Sequence, residues 1–370
     1  MLKRQITVFS ALILLITFLQ PALGNRSTDI GAKWYKNGRD VLKNFRNMYQ
    51  PHVICELGEE YPFKMWFFGW SAEDCNPGYS GCDAIFHARA KNLDDWEVYA
   101  GDGKWDATMN PKLWVPVLAA QNLFFDSWHN GDPSVVRKDG SYYMVYSSTG
   151  FDRDRILPYQ PGDTDLDLYC ITGATSPDGI HWTRSKLPLL INAADIGVHG
   201  KGEMGEIIGG MYARPSLMFD EGKWKCWFDY WAGSAGGVAM GYAECPADSF
   251  MKMSAWRVVR AGANPVMGEW PNPDVIKVGS KYYSYSDAGS YDKHPWTRRH
   301  ICEAVSDDGI NWKVLGHIPP ESDAPATHVP EALVIKENGR KKIIVFYACQ
   351  IGGEPYDYRY NRIRYMWRYE

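Results

Sequence analysis

The sequence predicts an all-β fold, a five-bladed β-propeller of four-stranded antiparallel blades around a central channel. Three observations predict it: a recurring hairpin phrase, a second recurring segment behind it, and an N-terminus that carries what the last copy lacks. The phrase reads DPSVVRKDGSYYMVYSS from Asp132, RPSLMFDEGKWKCWFDY from Arg214, NPDVIKVGSKYYSYSDA from Asn272 and VPEALVIKENGRKKIIVFYA from Val329. A fainter first copy, QPHVICELGEEYPFKMWFFGW, starts at Gln50. Each copy has a proline, an alternating apolar strand, a glycine turn (Gly140, Gly222, Gly279, Gly339 in the four clear copies) and a second strand rich in aromatics. The prolines fall at 51, 133, 215, 273 and 330, at steps of 82, 82, 58 and 57 residues. No single hairpin buries its own apolar face, so five copies imply five stacked units. A β-helix would repeat over a much shorter period, and a β-sandwich would not repeat.

The second half of the unit is the segment ATSPDGIHW at 174–182 and AVSDDGINW at 304–312, with weaker forms at 88–96 and 243–256. Asp-Gly marks a tight turn, because the second residue needs positive φ. Each unit therefore reads as two strands, a variable loop and two more strands. The blades are expected at about 50–100, 132–190, 213–260, 270–318 and 328–370. Two long inserts, 101–131 and 192–212, precede the second and third phrases; the tryptophans of the first (Trp105, Trp114, Trp128) argue that it is ordered. The last blade stops one strand short. Residues 29–36, DIGAKWYK, resemble the outer strand of blade 4, DGINWK at 308–313, and are expected to complete blade 5.

Residues 1–24 combine Lys3 and Arg4, an apolar run over 6–19 and the small residues Ala22 and Gly24, the pattern of a secretory signal peptide. The run is shorter than the ~20 residues of a membrane span. The expectation is a secreted or periplasmic protein whose residues 25–370 form one propeller domain, with no membrane attachment after cleavage. A net charge of -4 gives no field that would draw nucleic acid. Of eight cysteines, Cys55, Cys170, Cys226, Cys302 and Cys349 sit singly in strands and read as small buried apolar residues. Cys75 and Cys82 bracket a loop that a disulfide would stiffen; no C-x-x-C pair suggests structural zinc.

The first strand of each blade lines the channel, and its start shares a face with the end of the second strand. The residues around the repeated prolines therefore converge: Gln50 and His52, Asp132, Arg214, Asn272 and Asp274, His328 and Glu331, joined by Trp70, Phe151, Asp229, Tyr230, Trp231 and Asp287. Taken singly, an Asp before proline is a turn residue; at equivalent positions of a repeat these side chains share one destination. Opposed carboxylates beside aromatic rings suit glycoside cleavage, one acid protonating the leaving oxygen and the other activating water or attacking the anomeric carbon.

On these motifs the chain resembles the five-bladed propeller glycoside hydrolases of the arabinanase, levansucrase and invertase group, most of all glycoside hydrolase family 43. The resemblance implies a base at Asp132, a carboxylate at Asp274 that tunes and orients, and an acid at Glu331. It departs from the family at blade 1, which offers Gln50 and His52, and at blade 3, which offers Arg214. Glu206 in the second insert is a candidate displaced acid, with Glu203 and Glu56 behind it. Arg214, His52, His328, Trp70, Trp231 and Asp287 are the expected substrate-binding residues, and Arg214 with the two histidines suggests an anionic sugar. No cofactor is required on this reading. A calcium ion in the channel near His52 and His328 is an option that the resemblance raises. The expected function is hydrolysis of a glycosidic bond in a plant or algal saccharide. The alternatives are a propeller that binds glycan without cutting it, and a phosphorylase or transferase of the same fold.

Overall fold

The computed structural model describes residues 28–45, 47–70, 83–121, 125–126, 129–150, 168–192, 210–231, 238–288, 299–324, 326–350 and 361–370. The first strand, β1 (Tyr35–Lys36), belongs to the last blade. Blade 1 follows with β2 (Tyr49–Cys55), β3 (Phe63–Trp70), β4 (Asp83–Ala90) and β5 (Trp96–Tyr99). The first insert extends this sheet with β6 (Trp105–Asp106) and β7 (Leu118–Ala119), and the Trp114 indole is tied to Asp106 at 2.9 Å. Blade 2 holds β8 (His129–Lys138), β9 (Ser141–Gly150), β10 (Leu168–Ser176) and β11 (Thr183–Arg184). Blade 3 holds β12 (Gly210–Asp220), β13 (Lys223–Trp231), β14 (Val238–Pro246) and β15 (Arg257–Arg260). Blade 4 holds β16 (Asp274–Val278), β17 (Lys281–Ser286), β18 (Ile301–Ser306) and β19 (Trp312–Ile318). Blade 5 holds β20 (Ala326–Glu337), β21 (Arg340–Gln350) and β22 (Asn361–Tyr369).

The expected closure is present. Tyr35 and Lys36 of β1 pair antiparallel with Trp367 and Met366, so the N-terminal segment supplies the outer strand of blade 5. Trp34 beside it is buried edge-on against Tyr285 of blade 4, with ring centroids 5.8 Å apart. The central hairpins turn as the sequence indicates: Asp139-Gly140, Glu221-Gly222 and Asn338-Gly339 all have positive φ at both residues, the geometry that matches strand twist.

The core is divided among the seams between blades. Trp66 and Ile85 of blade 1 pack with Met144 and Tyr146 of blade 2, and Val145 and Ile171 with Trp224 and Phe228 of blade 3. Trp227 packs with Tyr282 and Cys302, Tyr285 with Ile343 and Tyr347, and Phe346 of blade 5 with Phe63 and Phe67 of blade 1. Cys170, Cys226, Cys245, Cys302 and Cys349 are buried free thiols and Cys55 is half-buried. Cys75, Cys82, Trp128, Phe151 and residues 1–24 lie outside the described residues.

Candidate active site at the channel mouth

The first strand of four blades carries a bulge at its proline. The register shifts between Tyr49 and His52, Gly131 and Ser134, Ala213 and Ser216, and His328 and Glu331. In all five blades the residue before the proline is left-handed: φ is 47° at Gln50, 51° at Asp132, 48° at Arg214, 47° at Asn272 and 42° at Val329. Proline disfavours helical backbone in the residue before it, and such conformations cost on the order of 1–3 kcal/mol each. Neighbouring blades hold them. The amides of Arg214, Asn272 and Val329 donate to Ser147 Oγ (2.7 Å), Asp229 Oδ2 (3.0 Å) and Asp287 Oδ2 (3.3 Å), each at the end of the preceding blade's second strand.

Two residues further along, a second ring stitches the blades. Ser134 Oγ accepts from the Leu217 amide (2.9 Å), Ser216 Oγ from Val275 (2.9 Å) and Asp274 Oδ2 from Ala332 (2.6 Å). His52 Nε2 meets the carbonyl of Val135 at 2.8 Å. In each case the partner is the third residue after the next blade's pre-proline position.

These two rings separate residues that the sequence groups together. A strand advances ~3.3 Å per residue, so Asp132 and Asp274, before and after their prolines, stand at different depths of the channel. A cavity of about 300 Å³ opens at the upper level, lined by Asp83, His129, Asp132, Arg214, Asn272, Asp287, Arg299 and His328 on its polar side and by Tyr49, Phe68 and Val329 on its apolar side. Asp274 and Glu331 do not line it, which corrects the expectation of one shared ring. Asp274 is part of the stitching, with Ser216 Oγ also donating to its Oδ1 at 2.8 Å. Glu331, 1 % exposed, is covered by the Gln50 amide and by His52 Nδ1 at 2.8 Å. His52 likewise belongs to the lower ring.

The cavity's charges are tuned by their neighbours. Burial would raise the Asp132 carboxyl, but a bond to His129, the charge of Arg214 and a bond from Ser147 hold it below the usual range. Desolvation would lower the half-buried His129, yet Asp83, 2.8 Å from its Nδ1, and Asp132, 3.8 Å from its Nε2, raise it to about 9. Arg214 pairs with Asp229 at 3.1 Å rather than with Asp132 or Asp274, and burial keeps Asp229 up at about 6 despite that pairing. Asp287 accepts from Arg299 (2.8 Å) and Asn272 (2.7 Å). His328 is pushed down to about 4 by burial, against the pull of Asp287 at 4.0 Å. Lower down, burial and then the Asp274 charge push Glu331 well up, and burial raises Asp274 to about 6.

Other candidates fall elsewhere. Glu56 stands at the far end of β2 in an ion-pair group with Lys64 and Arg137. Tyr230 faces the seam between blades 2 and 3. Trp70 and Trp231 are the last residues of β3 and β13. Glu203 and Glu206 lie outside the described residues. Sequence reasoning missed His129, Asp83, Tyr169 and Arg299; the only signal was the His-Asn-Gly lead into Asp132.

The axial cluster His52, Asp274 and Glu331 has donor atoms within 4.8 Å of one another, the arrangement a channel ion would need. It does not fit calcium. All six nitrogen and oxygen atoms already hold hydrogen-bond partners, one ligand is nitrogen, and calcium takes 6–8 oxygens.

The chain folds as a five-bladed propeller, with carboxylates, imidazoles and paired arginines gathered at the channel mouth. Solved structures agree on that fold. A thermostable family-43 glycoside hydrolase superposes with a TM-score of 0.53 at 13% identity, covering 90% of this chain and 91% of that one. The family-43 enzyme from Xanthomonas citri complexed with xylotriose gives 0.56 at 13% identity, covering 89% of each. An N-acetylgalactosamine deacetylase from F. plautii, in complex with blood group B trisaccharide, gives 0.53 at 14% identity over 94% of each chain. No family model matches the sequence, and no curated protein matches it.

Proposed function

We propose that the chain is an exported glycoside hydrolase that holds the end of a saccharide in this cavity. The observation that carries the reading is a buried carboxylate kept ionised on one wall, Asp132, and an imidazole with an unpaired nitrogen, His328 Nε2, two blades away on the same cavity. Asp132 is the base or nucleophile, with His129 and Arg214 as its positioning residues. His328, with Asp287 behind Nδ1, takes the place of the proton donor; burial holds it near 4, so it carries that proton only at acid pH, where Asp132 stays ionised. Glu331 lies in the lower ring, outside the cavity's lining. The structural neighbours that carry xylotriose or a blood group trisaccharide support a glycan ligand, and the basic-apolar-small N-terminus supports export.

The test is turnover of aryl glycosides with graded leaving groups. Asp132→Asn should lower kcat about 10³-fold on every substrate while sugar binding persists. His328→Gln should lose about 10²-fold or more on poor leaving groups and little on activated ones, which need no protonation. Glu331→Gln should resemble wild type in that comparison. A wild type that binds sugar without turnover, unchanged by Asp132→Asn, would mean a lectin-like propeller instead. Leaving-group dependence that follows Glu331 would return the acid to the lower ring.

A further inference from the structure

Val329 breaks the pattern of its ring. The other four pre-proline residues are polar, and three of them, Asp132, Arg214 and Asn272, face the cavity with it. Val329 is 6 % exposed and stands at φ 42°. Left-handed backbone is a true outlier for a β-branched side chain, whereas asparagine or glycine would hold the same turn at lower cost. Its isopropyl group meets an apolar wall: Tyr49 and Phe68 lie with ring centroids 5.6 Å apart, and Tyr49 packs on the same core cluster that contains Val329.

The polar wall carries no unmatched cation for an anionic sugar. Arg214 is held by Asp229, Arg299 by Asp287 and His129 by Asp83. Among the described residues, Asn272 Oδ1 and His328 Nε2 are neutral atoms buried there without a partner. Such atoms suit sugar hydroxyls. His52, the remaining member of the expected anion site, is in the lower ring.

We propose that the cavity takes a neutral terminal sugar that carries a methyl group, a 6-deoxyhexose, with the methyl against Val329, Tyr49 and Phe68, a hydroxyl at Asn272 and the glycosidic oxygen at His328. This rests on the glycosidase reading. A hydroxymethyl or carboxylate at that edge would set polar atoms against the hydrocarbon of Val329 and Phe68, and a pentose would leave the wall uncovered.

The experiment compares 4-nitrophenyl 6-deoxyhexosides with the matching hexosides, hexuronides and pentosides, in wild type, Val329→Gly and Val329→Asn. Wild type should favour the 6-deoxyhexoside over its hexose match by at least about tenfold in kcat/KM. Val329→Gly should erase most of that ratio, and Val329→Asn, which holds the same left-handed turn and keeps most of the side-chain volume, should erase it too. Preference for a hexuronide, hexoside or pentoside, or a ratio indifferent to Val329→Gly, would overturn the assignment. Saturation-transfer NMR with the free sugars separates the two readings. Binding of 6-deoxyhexose that weakens in Val329→Gly without any turnover keeps the sugar class and removes the glycosidase, and no binding of any sugar removes both.

Discussion

His52 donates through Nε2 to the Val135 carbonyl, so in its neutral form Nδ1 is a bare acceptor. Its 2.8 Å contact with Glu331 Oε2 then requires the proton to sit on the carboxyl. Burial gives the same answer independently, pushing His52 down to about 4 and Glu331 well up. Both Glu331 and Asp274 bind protons more tightly folded than unfolded. Their contribution is therefore fully present at low pH and lost as pH rises through the folded values, for Asp274 from 3.8 toward about 6. The share of wild-type Tm owed to these two acids should fall as pH rises from about 4 to 8, while the depressed His52, His87 and His328 act in the opposite sense. Glu331→Gln, whose amide can donate to His52 and accept from Gln50, should flatten the profile and melt higher at pH 8. Parallel Tm–pH curves for the two proteins would refute a protonated Glu331. The expected burial of this acid and its coupling to Asp274 were legible from Pro330 and the apolar run behind it. Its depth was not, because a two-residue step along a strand changes the level in the channel without changing the face.

The repeated A-x-S-x-D-G-x-x-W segment is a device for locking one blade to the next. Ser306 Oγ accepts the Gly309 amide (2.9 Å), Asp308 Oδ1 accepts those of Ile310 and Asn311 (2.8 and 2.7 Å), and the motif's own Trp312 donates to the Gly309 carbonyl (3.0 Å). Trp227 of the preceding blade donates to that same carbonyl at 2.8 Å. The copy at Gly179 repeats this with Trp182 (3.0 Å) and with Trp66 of blade 1 (2.9 Å). Glycine is needed at Gly309 twice over: φ is 75°, and a Cβ would stand 2.9 Å from the Trp227 ring. Gly222 has φ 74° with open space around it. Gly309→Ala should therefore cost about 2–3 kcal/mol in urea unfolding, against about 1 kcal/mol for Gly222→Ala. Equal costs would show that the tryptophan contact is immaterial. Composition announced the turn, but the indole from the neighbouring blade, 82 residues away in sequence, could not be read from a local motif.

At the scale of the whole molecule, closure depends on a short N-terminal strand. Ile30 and Trp34 belong to the core cluster shared by blades 4 and 5, Ile30 bonds the His317 carbonyl through its amide (2.9 Å), and β1 pairs with β22. Trp34→Ala should cost about 3–5 kcal/mol, the range for a buried aromatic, whereas a loose arm would register below about 0.5 kcal/mol. Five copies of the hairpin made the number of blades readable, and the missing strand of blade 5 pointed to the closure. The cavity was harder. Asp83, Tyr169 and Arg299 reach it from the start of a third strand or just ahead of one, outside the proline phrase, where no repeat marks them.

The paired rings have a consequence for how such a protein changes over time. Tension around the circle is borne by the lower set, where hydroxyls, an imidazole and a carboxylate grip the adjoining backbone. Their neighbours above are fixed through their own amides, three of them on an acceptor from the blade before. The side chain there is consequently at liberty: glutamine, aspartate, arginine, asparagine and valine all occupy the one backbone slot. Chemistry at the rim can be rewritten residue by residue while the masonry below stays put, so a lineage built on this frame can exchange substrates without first having to survive a weakened wheel.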